Sequence, residues 1–185
     1  MTTAPLPLRR FESPIGRIEI VGDGTAVVSL SIETSGRLPH DELPEHGDAI
    51  VDRAAAQLEQ YFAGTRRDFD VPVSLPGTPF QRAIWAELSA LGFGEVVSYG
   101  ELGQATGRPS AGRAVGGAVG ANPVPIIVPC HRVLGSSGMI TGYSAGEGIP
   151  TKSWLLTHEG IAHRVPTLAS AAPQLDLGEL SDSAA

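Results

Sequence analysis

The sequence has a single cysteine, Cys130, among its 185 residues. One cysteine cannot form an internal disulfide, and by itself it cannot build a zinc site of the cysteine-rich kind. We therefore expect a cytoplasmic protein in a reducing compartment, and we expect no cofactor. Three interpretations of the thiol are open at this point: a nucleophile, a metal ligand or a small buried hydrophobe.

Long apolar runs are also missing. No stretch approaches the ~20 apolar residues that cross a membrane, and the N-terminal MTTAPLPLRRFESPIG lacks the apolar core of a signal peptide. The apolar fraction of 42% and the charged fraction of 18% are those of a globular protein. We therefore expect one or two globular domains and no membrane partner.

Positive charge is scarce, since the formal net charge is -7. Nucleic-acid binding usually needs a basic surface, but the acidic excess is unevenly distributed. Residues 1–76 carry 7 Lys+Arg against 12 Asp+Glu, residues 77–165 carry 6 against 5, and the tail from 166 carries none against 3. The segment that contains Cys130 can therefore still present a small basic face.

Residues 1–76 are typical of a small α/β domain. The segments GRIEIVG and TAVVSLSIE alternate apolar and polar residues, as in two antiparallel strands joined by a turn. From Asp48 to Gly64 the apolar residues recur at helical spacing instead. We expect FDVPVSLPG to add another strand, with a domain boundary directly behind it.

Residues 77–165 are typical of a second, mainly helical domain, which makes the fold class α+β. Thr78 with Gln81, and Ser98 with Glu101, form two capping boxes that predict short helices. The second of them, over SYGELGQATG, and the helix-length stretch SAGRAVGGAVGANP behind it are joined by a few residues, which makes these two a helix-turn-helix candidate. The tail 166–185 is polar, small and acidic, and we expect it to be mobile.

A third helix is predicted over SAGRAVGGAVGANP, which consists almost entirely of small residues. Each glycine in a helix interior costs roughly 1 kcal/mol relative to alanine, so the glycines need an explanation. Tight packing on a neighbouring helix and close approach of a ligand are both open. Arg113 is the only charge in the stretch, and it either points into solvent or reaches towards a ligand. The glycines are Gly112, Gly116, Gly117 and Gly120.

Cys130 follows PVPIIVP, which predicts a buried strand that ends at Pro129. Adjacent residues of a strand point to opposite faces, so Cys130 and His131 can cooperate only at a turn. Pro129 predicts such a turn. His131 and Arg132 place positive charge beside the thiol, which is expected to depress its pKa.

A reactive thiolate needs a base to take its proton and a third group to orient that base. His131 is the candidate base, and Glu159, in the final helix PTKSWLLTHEG, is the candidate orienter. His158 is a competing histidine that spacing alone does not eliminate. The Gly- and Ser-rich segment GSSGMITGYSAGEG predicts a loop at the border of the same site.

Five of these segments together resemble one protein family. The segments TPFQRAIW, SYGEL, RAVGGAVGANPVPI, PCHRV and WLLTHEG are similar to those of the O6-alkylguanine-DNA alkyltransferases, also called methylated-DNA–protein-cysteine methyltransferases. The resemblance is continuous from about Thr78 to Gly160. Over residues 1–75 it is looser, through SPIG and the helix ending in YFAG. It implies a ribonuclease H-like N-terminal domain followed by a winged helix-turn-helix-like C-terminal domain.

The resemblance implies direct-reversal DNA repair. In this family a helix-turn-helix enters the minor groove, and an O6-alkylguanine, or also an O4-alkylthymine, is flipped out of the stack. The cysteine, here Cys130, then takes the alkyl group irreversibly, so that one molecule repairs one lesion. The implied partner is double-stranded DNA that contains O6-alkylguanine, bound by a monomer or cooperatively along the duplex.

The resemblance also assigns roles to individual residues. Cys130, His131, a water and Glu159 would form the proton relay, Tyr99 would donate to the base, and Asn122 would brace the site. Arg113 would take the place of the flipped base. The DNA-binding set is Arg113, Ala114, Gly116, Gly117, Ser98 and Thr78, and the substrate pocket is Val133, Tyr143, Ser144, Ala145, Pro125 and Val119.

Three departures from the family pattern modify these expectations. Some relatives bind zinc through N-terminal cysteines and histidines, but this chain has no cysteine there, so no metal is expected. Ala145 stands where the family often has glycine, and its methyl group is expected to restrict large O6 substituents. Val119 and Gly120 stand where some relatives carry basic side chains, which predicts weaker non-specific binding to DNA.

Three other functions remain as alternatives. A lesion-binding module of the alkyltransferase-like type would lack an acceptor cysteine, whereas this chain has Cys130. A cysteine hydrolase using Cys130 and His131 would need an oxyanion hole, for which no signature is evident, and its nucleophile and base are seldom sequence neighbours. A helix-turn-helix regulator would have no use for a reactive cysteine.

Overall fold

The computed structural model describes residues 6–166. Within that range the chain forms a three-stranded sheet with one long helix, followed by a helical unit that contains a small two-stranded sheet. A mobile tail was predicted over residues 166–185. Residues 167–185 lie outside the described range.

The N-terminal sheet is antiparallel and has the strand order β1-β2-β3. It consists of β1 (Leu8–Phe11), β2 (Ile18–Gly22) and β3 (Val27–Ile32). The predicted hairpin of β2 and β3 is confirmed, with Ile20 opposite Leu30. Strand β1 was not predicted, because its residues LRRF lack a clear alternation of apolar and polar side chains.

Helix α1 (Ala49–Phe62) covers this sheet, as its apolar spacing predicts. The Asp48 side chain caps its first turn by accepting from the backbone N–H groups of Ile50 and Val51. The helix is followed by Gly64 in the left-handed region, with φ +73°. Its buried side chains are Val51, Ala54, Ala55, Gln57, Leu58 and Tyr61.

The segment FDVPVSLPG was predicted to be a strand, and that prediction is wrong. It forms one isolated bridge, between Val73 and Val27. The Val27 N–H donates to the Pro72 carbonyl and the Ser74 N–H donates to the Val27 carbonyl, both at 2.9 Å. Pro72 and Pro76 have no N–H to donate, so a continuous ladder cannot form along this segment.

Four helices make up most of the second unit: α2 (Pro79–Ser89), α3 (Tyr99–Ala105), α4 (Gly112–Gly120) and α5 (Ile149–His158). Both predicted capping boxes are present, at the first residues of α2 and α3. Helix α4 packs against α2 and α3, and the Trp85 indole donates to the Ala118 carbonyl at 2.8 Å. Within residues 6–166, every helix is too short or too polar to cross a bilayer.

The segment between α4 and Cys130 was predicted to be a buried strand, and that prediction is also wrong. Its residues are largely buried, but they form turns and a single bridge between Pro125 and Val128. Ile126 has φ 72°, an unusual conformation for a β-branched residue. Three prolines in seven residues remove the donors of a strand, so the chain reaches Cys130 through turns.

Cys130 begins a short 3-10 turn, Cys130–Arg132, which is the turn that Pro129 predicts. The chain then continues as β5 (Val133–Leu134), which pairs in parallel with β4 (Val97–Ser98) at the start of α3. This small sheet brings the cysteine turn next to the helix pair α3 and α4.

Candidate active site

Cys130 lies at the wall of a cavity of about 490 Å³. The cysteine is only 4% exposed, so its thiol is reached through this cavity. The cavity lies between α4, the N-terminal end of α3 and the loop that precedes α5. Its lining contains Cys130 and six other predicted residues, Tyr99, Arg113, Gly116, Val119, Tyr143 and Ser144, together with Gly112, Gly120, Thr141, Gly142 and Lys152.

The thiol of Cys130 is less acidic than the sequence suggested. Burial raises the pKa of Cys130, and the neighbouring side chains of Asn122, Lys152 and Tyr143 only partly oppose that shift. The expected lowering by Arg132 is wrong, because its guanidinium turns away from the thiol to Glu159. The resting thiol is therefore protonated, and forming a thiolate requires a base.

His131 and Glu159 form the predicted pair beneath the cysteine turn. His131 is fully buried, and its Nε2 donates to Glu159 Oε1 at 2.9 Å. This bond fixes the tautomer and leaves Nδ1 as an acceptor. Nδ1 has no hydrogen-bond partner among the described residues although it is buried. A buried, unpartnered acceptor is suited to a bridging water that takes a proton from the adjacent thiol.

His158, the competing histidine, has other contacts. Its Nε2 donates to the Tyr61 carbonyl at 2.7 Å. Its ring stacks on Trp154, with 4.9 Å between centroids and 14° between planes. It therefore joins α5 to α1, and the structure pairs Glu159 with His131.

Glu159 is held as an anion by four donors besides His131. Arg132 donates through Nε to Oε2 at 2.7 Å and through Nη2 to Oε1 at 2.9 Å. The Tyr61 hydroxyl donates to Oε1 at 2.8 Å and the Gly94 N–H to Oε2 at 3.3 Å. Burial alone would raise the pKa of Glu159, but the bonds from His131 and Arg132 hold that pKa far below its ordinary value.

Lys152 also lines the cavity, although it was not predicted as a site residue. It is the only lysine of the chain, it is 1% exposed, and its Nζ donates to the Val133 carbonyl at 2.6 Å. Burial lowers the pKa of Lys152 to about 8. The available signal was its position on the face of α5 that also carries Leu155 and Leu156, since lysine is rarely placed on an apolar stripe.

Asn122 supports the turns that lead to Cys130. Its Nδ2 donates to the Val128 carbonyl at 2.7 Å, and its Oδ1 accepts from the Val124 N–H at 3.1 Å. These two bonds place Asn122 against the segment that precedes Cys130. Tyr143, which lines the cavity of Cys130, has a buried hydroxyl without a hydrogen-bond partner among the described residues.

The glycines of α4 form an open face beside the cavity. A methyl group built on Gly112 or Gly117 would meet no atom of the described residues within 4 Å outside the helix backbone. Built on Gly116 or Gly120, it would lie in ordinary contact, 3.9 Å from Tyr99 and 3.8 Å from Ser144. Packing inside the chain therefore does not explain the glycines, which favours close approach of a ligand.

The structure does not bring all predicted site residues to the cavity of Cys130. Pro125 and Ala145 line a neighbouring cavity of about 550 Å³ beside β3. Val133 is buried behind the cysteine turn. It contacts the site only through its carbonyl, which accepts a hydrogen bond from the cavity residue Lys152. Thr78 and Ser98 are helix caps, whereas Ala114, Gly117 and the Arg113 side chain are exposed on α4. Within residues 6–166, no three His, Cys, Asp or Glu side chains are grouped to hold a metal.

Two family models match the chain, and together they cover most of it. Residues 79–161 match the DNA binding domain of 6-O-methylguanine DNA methyltransferase, and residues 9–75 match the ribonuclease-like domain of the same family. A methylated-DNA–protein-cysteine methyltransferase of Methanosarcina acetivorans is 41% identical over 153 residues, which are 81% of this chain and 96% of that protein. Its counterpart in Mycobacterium tuberculosis is 42% identical over 151 residues, 82% of this chain and 90% of that protein.

Solved structures give the same assignment. The crystal structure of Mycobacterium tuberculosis O6-methylguanine methyltransferase is similar with a TM-score of 0.74 at 41% identity, over 84% of this chain and 93% of that one. A complex of the Mycobacterium tuberculosis protein with DNA is similar with a TM-score of 0.72 at 42% identity, over 82% of this chain and 91% of that one. The chain therefore belongs to the 6-O-methylguanine DNA methyltransferase family.

Proposed function

We propose that this protein repairs O6-alkylguanine in double-stranded DNA by direct reversal, moving the alkyl group to Cys130 in one irreversible step. The observation that carries the proposal is the placement of Cys130 at a cavity beside the open face of α4, with the buried His131–Glu159 pair beneath it. The names of its relatives, and the DNA complex of one of them, support the same activity.

The proton must leave the thiol before the sulfur can attack. In the proposed step it passes through a bridging water to His131 Nδ1, and Glu159 stabilises the imidazolium that forms. The Cys130 sulfur then attacks the alkyl carbon, the new S–C bond replaces the C–O6 bond, and the electron pair stays on the guanine. A hydrogen bond from Tyr99 meets this charge. Lys152 supplies a cation beside the thiolate.

The target base must leave the duplex to reach Cys130. We propose that α4 lies in the minor groove, where its glycines let the backbone approach the DNA closely. Arg113 is exposed at the mouth of the cavity, so its side chain can occupy the space that the flipped base vacates. The other exposed cations of this unit are Arg82, Arg108 and Arg164, whereas Arg132 and Lys152 are buried in the site.

Intact mass spectrometry tests the proposal. The protein is incubated with a duplex that contains one O6-methylguanine, and the expected result is a stoichiometric gain of one methyl group, located on Cys130 by peptide mapping. The variant Cys130→Ser is the control that should gain nothing. Lesion-specific binding of the wild-type protein without any gain would support the lesion-binding module, and turnover of an ester or amide substrate would support the hydrolase.

Domain limits and cellular location are part of the same proposal. We assign residues 1–76 to an N-terminal domain and 77–165 to the alkyl-transfer domain, which the two family matches at 9–75 and 79–161 support. A cytoplasmic location suits a protein whose only cysteine is a reactive thiol, since a reducing compartment keeps that thiol free.

A further inference from the structure

Tyr61 lies in α1, outside the unit that carries Cys130, yet its hydroxyl reaches the proton relay. The ring is fully buried among Phe62, Phe69 and Phe93. Its hydroxyl donates to Glu159 Oε1 at 2.8 Å, across 98 positions of sequence. This is the same oxygen that accepts from His131 Nε2.

We propose that Tyr61 is a positioning residue of the alkyl-transfer site, whose hydroxyl fixes the Glu159 carboxylate in the orientation that receives the His131 N–H. This inference rests on the proposed function. Arg132 binds both oxygens of the carboxylate. Without the Tyr61 hydroxyl, Oε1, which is the oxygen that accepts from His131, would lose one uncharged hydrogen-bond donor. The N-terminal unit thereby contributes a group to the relay, through a hydrogen bond that a phenylalanine ring cannot make.

The hydroxyl of Tyr61 also affects how strongly Glu159 attracts the proton of His131. The groups that face Glu159 are Tyr61, His131 and Arg132, and those that face His131 are Glu159, Arg132 and Lys152. The hydrogen bond that Tyr61 donates to Oε1 withdraws electron density from the carboxylate. Without this bond, the carboxylate is a stronger hydrogen-bond acceptor, and it stabilises the imidazolium form of His131 more strongly. Without the Tyr61 hydroxyl, His131 should therefore stay protonated up to a higher pH.

The test compares wild-type protein with Tyr61→Phe in single-turnover transfer from a saturating duplex that contains O6-methylguanine, between about pH 5 and 9. Saturation separates the transfer step from DNA binding. We expect the rate constant of Tyr61→Phe on its plateau to fall by about 5- to 20-fold. We also expect the acid limb of its pH profile to move upward by about half a pH unit or more.

His158→Phe is the matched control. His158 joins the same two elements by donating to the Tyr61 carbonyl, but it does not contact Glu159 through a hydrogen bond among the described residues. It should lower the melting temperature at least as much as Tyr61→Phe while leaving the acid limb in place. A Tyr61→Phe profile equal to that of the wild type, or an equal shift in His158→Phe, would overturn the inference. Absence of transfer in the wild type would instead overturn the proposed function.

Discussion

Arg132 holds Glu159 at two points, with Nε to Oε2 at 2.7 Å and Nη2 to Oε1 at 2.9 Å, and both side chains are almost completely buried. A third bond, from Nη1 to the Leu91 carbonyl at 2.7 Å, fixes the guanidinium itself. Removal of one partner of a buried ion pair leaves the other charge without compensation. The Arg132–Glu159 pair therefore contributes to the stability of the fold and also holds the carboxylate that binds His131.

Arg132→Met should lower the free energy of unfolding by about 3–5 kcal/mol, because the buried Glu159 carboxylate loses its cation. Urea unfolding at pH 7 measures the change. Arg53→Met is the control, since Arg53 and Asp70 form an exposed pair at 2.8 Å, and its loss should change the free energy of unfolding far less. An equal decrease in the free energy of unfolding of the two variants would contradict the claim that burial makes the Arg132–Glu159 pair more important for stability than an exposed pair.

Acid should destabilise the protein partly through Glu159. The folded pKa of this carboxyl lies below its ordinary value, so its contribution to stability is complete above the unfolded pKa of about 4.3. That contribution is lost as pH falls below this value towards the folded pKa. Glu159→Gln should therefore lose less stability than the wild type between pH 6 and pH 3 in urea unfolding. Parallel decreases would show that other carboxylates dominate.

Most regular elements could be predicted, because their signals are local. The capping boxes at Thr78 and Ser98 and the apolar spacing of α1 each lie within a few residues of sequence. The predictions that failed, FDVPVSLPG and PVPIIVP, were apolar segments with prolines. Their composition favours strands, but ladder formation depends on partners elsewhere in the chain and on donors that proline lacks.

In the candidate site, too, the sequence predicted which residues take part but not the contacts between distant segments. Cys130, His131 and Glu159 could be predicted from residue chemistry and family resemblance. The turn of the Arg132 guanidinium towards Glu159, and the burial that raises the thiol pKa, depend on packing between distant segments. The contact of Tyr61 with Glu159 spans 98 positions, and no local pattern encodes it.

Lys152→Met should slow the alkylation of Cys130 by iodoacetamide at pH 7, since the thiolate would lose its neighbouring cation. Lys152 is still mostly charged at this pH, because its pKa is about 8. We expect the rate of alkylation to fall by about 10-fold, and transfer from O6-methylguanine at pH 7 should also slow. Arg113→Met is the control, because Arg113 lines the same cavity but is exposed, and its rate of alkylation should stay unchanged. An unchanged rate for Lys152→Met would exclude this electrostatic role.

Arg113→Ala should reduce repair of duplex DNA by at least about 10-fold, because nothing would then fill the space of the flipped base. Its reaction with a free O6-alkylated guanine base, which needs no flipping, should change little. Arg53→Ala removes an exposed arginine from the N-terminal unit and should leave both reactions unaltered. If Arg113→Ala slowed the two reactions equally, a role in flipping would be refuted.

Gly117→Ala separates the two explanations of the glycines in α4. No atom of the described residues lies within 4 Å of the position of an added methyl group, outside the helix backbone. Alanine should therefore stabilise the helix by up to about 1 kcal/mol in urea unfolding. Affinity for duplex DNA should nevertheless fall, because the methyl group would stand between the helix and the minor groove. Reaction with a free O6-alkylated base is the internal control and should not change. A higher free energy of unfolding with undiminished DNA affinity would mean that DNA does not approach α4 at this glycine. The glycines of α4 would then lower helix stability without an explanation from DNA binding.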